Sequence, residues 1–98
     1  MQFFVICRIP ASASRKSVIK LIREEARTVW KLYESGLVRE LFYLDKLTGA
    51  ALRCEAASLE ELKAGVEKLP MIRDGLLVPE YIQLTPYTGF GKLFAKSE

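Results

Sequence analysis

The sequence predicts an α+β domain in which a four-stranded antiparallel sheet is covered by two helices. Three observations lead there. Residues 15–36, RKSVIKLIREEARTVWKLYESG, place apolar side chains at helical spacing and end in a glycine. Four stretches, 2–9, 38–45, 50–56 and 78–85, are rich in aliphatic and aromatic residues and are separated by turn or helical segments. Ser58-Leu-Glu-Glu61 forms a capping box that opens a second, shorter helix running to Leu69.

Each element has its own justification. QFFVICRI (2–9) is stopped by Pro10. Phe3, Val5, Cys7 and Ile9 share one face, and Phe4, Ile6 and Arg8 the other. Both faces are largely apolar, which predicts a central strand covered on both sides. The loop PASAS (10–14) supplies Ser12 or Ser14 as a helix N-cap. On the long helix Val18, Leu21, Ile22, Ala26, Val29, Leu32 and Tyr33 fall on one face, opposite Lys16, Lys20, Arg23, Arg27 and Lys31. Gly36 is placed to end it in the left-handed conformation. In VRELFYLD (38–45), Arg39, Leu41 and Tyr43 alternate with Val38, Glu40, Phe42 and Leu44. The hairpin loop DKLTG (45–49) leads to AALRCEA (50–56), where Leu52 and Cys54 oppose Arg53 and Glu55. The second helix points Leu59, Leu62, Val66 and Leu69 inward and ends at Pro70. Met71–Leu77 is a connection with an Asp74-Gly75 turn, and Pro79 suits the following strand, VPEYIQLT (78–85), to a sheet edge.

The order βαββαβ is the split-βαβ pattern of ferredoxin-like domains. Two helices cover one sheet face and leave Phe4, Ile6, Phe42, Leu44, Ile82 and Leu84 on the other. An apolar patch of that kind marks an interface. A face-to-face homodimer of sheets accounts for it. The expected organisation is one domain over 1–86 and a C-terminal tail over 87–98. The tail has too many aromatics for a plain disordered end and is expected to pack on a neighbouring subunit.

Composition narrows the chemistry. The chain has 98 residues, no histidine and a net charge of +3. Histidine-based acid/base catalysis and histidine-ligated haem are excluded, and the carboxylates are too dispersed for a metal cluster. Cys7 and Cys54 lack a C-x-x-C spacing and read as buried thiols in a reducing compartment. The apolar run Phe3–Cys7 is too short for a signal segment, and no stretch is long enough to span a membrane, so a cytoplasmic protein without membrane partners is expected. The basic stripe is interleaved with Glu24 and Glu34 and reads as a solvated helix face. GAALRCEA lacks the stacking aromatics of an RNA-recognition strand, so no nucleic-acid partner is expected.

One residue interrupts the long helix. Glu25 projects from near the middle of its apolar face, where an ionised carboxylate is costly unless it is paired or its pKa rises. A structural ion pair with Arg39 and an acid/base or ligand contact in a pocket both satisfy that requirement. Tyr33 lies near the inward face, and Tyr43 shares a strand face with Arg39. Each is a core aromatic or a pocket residue.

LIREEARTVWKLYESGLVRELFYLD, SLEELKAGVEKLP and a final strand ending in LTP resemble the muconolactone isomerase-like proteins. The telling points are Glu25, Gly36, Arg39 and Leu69-Pro70, and the resemblance runs over residues 1–86. It implies a dimeric α/β barrel, often assembled into larger rings, that moves a proton on a small lactone carboxylate without metal or organic cofactor. By position Glu25 takes the acid/base role and Arg39 the cation that holds the anion. Glu40 stands where muconolactone isomerase has a histidine, and the tail also departs from the family. The leading expectation is therefore a small anionic molecule bound between the long helix and the sheet. Glu25 acts on it, Arg39 holds it, and Tyr33, Tyr43 and Cys54 line the site. A non-catalytic binding or assembly module predicts a Glu25–Arg39 pair and no cavity. A cofactor-independent monooxygenase of the same superfamily predicts a deep apolar pocket.

Overall fold

A computed structural model describes residues 1–96; residues 97–98 of the expected tail lie outside the described residues. The elements are β1 (Gln2–Arg8), α1 (Arg15–Glu34), β2 (Val38–Tyr43), β3 (Gly49–Glu55), α2 (Leu59–Val66), α3 (Pro70–Arg73) and β4 (Val78–Leu84). The strands form one antiparallel sheet in the order β2-β3-β1-β4, which is the ferredoxin-like arrangement.

Local chemistry sets the boundaries. Ser14 caps α1, its Oγ accepting from the Ser17 amide at 3.0 Å. Gly36 follows the helix with φ +86°, a conformation that disfavours any side chain with a Cβ. Ser58 Oγ accepts from the Glu61 amide, and Glu61 reaches back to the Ala57 amide, one residue earlier than in a standard capping box. Pro70 was expected only to end the second helix. It stands instead at the first position of α3, where its missing N–H costs nothing.

The core lies between the helices and one face of the sheet. Phe3, Val5, Cys7, Leu52, Cys54 and Val38 meet Leu32, Leu62, Val66 and Leu69 there. The expectation that β1 is covered on both sides is corrected within this chain, because both main helices sit in the same layer. Phe4 and Ile6 remain half-buried on the other face, beside exposed Phe42 and Ile82. Two ion pairs, Arg8–Glu80 and Arg53–Glu40, frame that apolar patch.

The alternation expected along β2 is broken by a bulge. Val38 pairs with Cys54 and Glu40 with Arg53, so Arg39 is the extra residue. Val38 therefore joins Leu41 and Tyr43 on the helix side, and Arg39 is displaced from it. Gly49 begins β3 so close to β1 that a Cβ there would run into the Cys7 carbonyl oxygen.

Helix α1 is longer than the sheet is wide along it. Twenty residues span about 30 Å, against about 23 Å for a seven-residue strand. Only Leu32 of α1 is buried; Val18, Leu21 and Val29 touch the core, while Ile19, Ile22 and Trp30 stay exposed. The chain beyond β4 also leaves the domain. Tyr87, Phe90, Leu93 and Phe94 are largely exposed, and the longest dimension reaches 63 Å. The radius of gyration is 16.6 Å, against about 13 Å for a compact chain of this length. No helix among the described residues is long and apolar enough to cross a membrane.

Candidate functional site

Where α1 stands off the sheet, it leaves a groove of about 690 Å³. Ile22, Ala26, Val29, Trp30 and Tyr33 form its helical wall. Leu41 and Tyr43 of β2 and Leu47 of the hairpin face them; Cys7, Ala50 and Leu52 form the floor, and Leu69, Met71 and Leu77 close the end. Glu25 is the one acidic or basic side chain among the described residues that line it.

The geometry at Glu25 follows from α3. Leu69 provides no side-chain cap and Pro70 has no N–H, so the Met71 amide is the first donor of that helix. Glu25 Oε1 accepts from it at 2.9 Å, across 46 residues of sequence. Oε2 accepts no hydrogen bond from the described residues, and the side chain forms part of the groove wall. Burial pushes the carboxyl above its ordinary value; the Met71 amide and the Arg73 guanidinium pull it back, and Glu24 adds to the rise. A carboxyl tuned upward can take and return a proton near neutral pH more readily than an exposed one.

Aromatic rings occupy the mouth. Trp30 and Tyr33 lie with centroids 5.8 Å apart at a 32° tilt, and Tyr43 is 81 % exposed across the opening. Glu25, Tyr33 and Tyr43 thus meet on one groove. Trp30, Cys7 and Met71 join them, none of which the sequence placed at the site. The signal for Trp30 was available: Ile19, Ile22, Ala26, Trp30 and Tyr33 make a second apolar row, wider than the sheet can cover.

Two expected site residues lie elsewhere. Arg39 does not meet Glu25. The bulge turns it toward the end of α1, where Nε donates to the Gly36 carbonyl at 2.7 Å and Nη2 sits 3.5 Å from Glu55 Oε2. It lines a separate depression with Glu61 and Lys68. Cys54 does not line the groove; it is fully buried in the middle of the sheet, opposite Phe3 of β1 and Val38 of β2. Burial pushes its thiol up to about 11. The floor thiol is Cys7, pushed up to about 12 by burial, with Glu25 and Cys54 adding to the rise. Neither thiol is a nucleophile near neutral pH. Among the described residues no three Cys, Asp or Glu side chains gather as a metal site.

Fold and groove together define a ferredoxin-like α+β domain with an apolar groove between its long helix and its sheet. A crystal structure of muconolactone isomerase matches it with a TM-score of 0.72 at 19 % identity, over 90 % of this chain and 92 % of that one. The 5-chloro-2-hydroxyhydroquinone dehydrochlorinase TftG of Burkholderia phenoliruptrix AC1100, in complex with 2,5-dihydroxybenzoquinone, matches with a TM-score of 0.74 at 17 % identity, over 91 % and 98 %. No protein-family profile and no curated relative matches the sequence.

Proposed function

We propose that this chain binds a small ring compound in the α1 groove and moves a proton on it, with Glu25 as the acid/base. One observation carries the reading. A single carboxyl, raised by burial, has one oxygen fixed by the Met71 amide and leaves the other free in an apolar groove. The fixed oxygen orients the group; the free one is available to a ligand. The two similar folds belong to an isomerase and a dehydrochlorinase, and the second holds a ring compound. Tyr33 and Tyr43 line the site in this reading, and no cofactor is invoked. Arg39 is dropped as the anion clamp because it is committed to Gly36 and Glu55.

The same reading pairs the uncovered sheet face with a second copy, giving a dimeric α/β barrel. The exposed tail aromatics then pack on that neighbour. Two free thiols suit a reducing, cytoplasmic setting.

The test is solvent deuterium uptake at the acidic ring C–H of small unsaturated lactones and hydroxylated quinones, followed by NMR. The native protein should catalyse uptake and Glu25→Gln should not. Undiminished exchange in the variant would remove Glu25 from the acid/base role. A second reading, a binding module without turnover, is favoured by the cap that Glu25 already provides to α3. It predicts ligand binding without exchange in either protein.

A further inference from the structure

We infer that the groove selects an uncharged flat ring carrying a hydrogen-bond donor, and discriminates against the carboxylate ligand that the resemblance implies. This rests on the reading of the groove as a ligand site and names its substrate class.

Charge is the first argument. No lysine or arginine is among the described residues lining the groove, and its one carboxylic acid is Glu25. The cations nearby are committed elsewhere: Arg73 is exposed and bonded to Asp74, and Arg39 lies in the other depression against Glu55. A ligand carboxylate would lose its hydration in an apolar groove, find no counter-charge there and face Glu25. A neutral hydroxyl suffers none of these penalties. It can donate to Glu25 Oε2, the oxygen that the Met71 amide leaves unused.

Shape is the second argument. Trp30, Tyr33 and Tyr43 present ring surfaces around the mouth, and Trp30 and Tyr33 are already inclined toward one another. Flat rings gain from offset or edge contacts with such surfaces. The volume of about 690 Å³ lies within the range for small-molecule sites and holds a substituted ring.

The experiment is calorimetric titration of the native protein at pH 7 with three matched probes: 4-ethylphenol, 4-ethylanisole and 4-ethylbenzoate. The phenol is neutral and donates, the anisole is neutral and cannot donate, and the benzoate is an anion. The phenol should bind most tightly, the anisole more weakly, and the benzoate weakest by about tenfold or more relative to the phenol. The protein's single tryptophan is Trp30, so quenching of its fluorescence by the phenol reports whether binding is in the groove. In Glu25→Gln, which keeps an acceptor oxygen and removes the charge, the handicap of the benzoate should shrink. Benzoate binding as tight as the phenol, binding that leaves Trp30 fluorescence untouched, or no binding of any probe would each overturn the inference. The two claims separate cleanly. Correct discrimination with undiminished exchange in Glu25→Gln breaks only the acid/base reading. Tight benzoate binding with exchange lost in Glu25→Gln breaks only the ligand class.

Discussion

Two hollows of nearly equal size flank α1, about 690 Å³ beside Glu25 and 700 Å³ beside Arg39. They differ in how their charges are spent. In the Arg39 hollow, Arg39 reaches Gly36 and Glu55, and Glu61 takes the Ala57 amide. These contacts hold the helix end and the α2 start in place. In the Glu25 hollow, one carboxyl stands alone among apolar and aromatic side chains, half committed to α3. Volume does not separate the two hollows; an underused polar group in an apolar lining does.

The largest expected effect breaks the comparison if it fails. Glu25→Gln should lower catalysed deuterium exchange by about 10²–10⁴-fold, the usual contribution of a positioned acid/base. Arg39→Leu should leave exchange within a factor of a few. Equal losses in both variants would mean that the two hollows act as one site, with Arg39 returning to the role that the resemblance implies.

The next effect concerns the groove floor. Gly49→Ala drives a methyl group into the Cys7 carbonyl, which is backbone and cannot rotate away. It should cost about 1–3 kcal/mol, as overpacking does, measured by urea unfolding. Stability within a few tenths of the parent would show that the β1–β3 contact yields more easily than the geometry implies.

A subtler effect sharpens the account of Glu25. Its carboxyl is raised in the fold above its ordinary value of 4.5, so between that value and the folded one the native state binds more protons than the unfolded chain. The stability this group contributes is fully present below 4.5 and is lost as pH rises through the folded pKa. The difference in unfolding free energy between the parent and Glu25→Gln should therefore fall with rising pH across that window and stay flat on either side. A difference that grows with pH would mean that the Met71 amide and Arg73 outweigh burial.

The sequence carried the fold well because its signals were local. Ser14, Gly36 and the Ser58 box each announce a boundary through one or two atoms, and the structure uses all three. Glu25 was legible for the same reason, as an acid on an apolar face. Arg39 was not, because a single bulge in β2 takes it out of the strand's alternation, and no residue type there marks it. Cys54 was misplaced along the strand rather than across it: it lies on the correct face, at the end remote from the groove. Trp30 was overlooked because helical periodicity was read as a single inward face. The groove arises where α1 has more apolar surface than the sheet can take.

The smallest expected effect returns to the Arg39 hollow. Arg39 and Glu55 keep nearly half of their side-chain surface in water at 3.5 Å separation, so their attraction is screened. Arg39→Ala should then cost no more than about 1 kcal/mol in urea unfolding, most of it from the bond between Nε and the Gly36 carbonyl. Glu55→Ala removes the ion pair and keeps that bond, so it should cost less than Arg39→Ala. The order of the two variants is the informative quantity. If Glu55→Ala proves the more damaging, the ion pair and not the helix-end contact holds β2 and β3 together at this corner. The charges of this hollow would then be as consequential for the fold as the lone carboxyl is for the other.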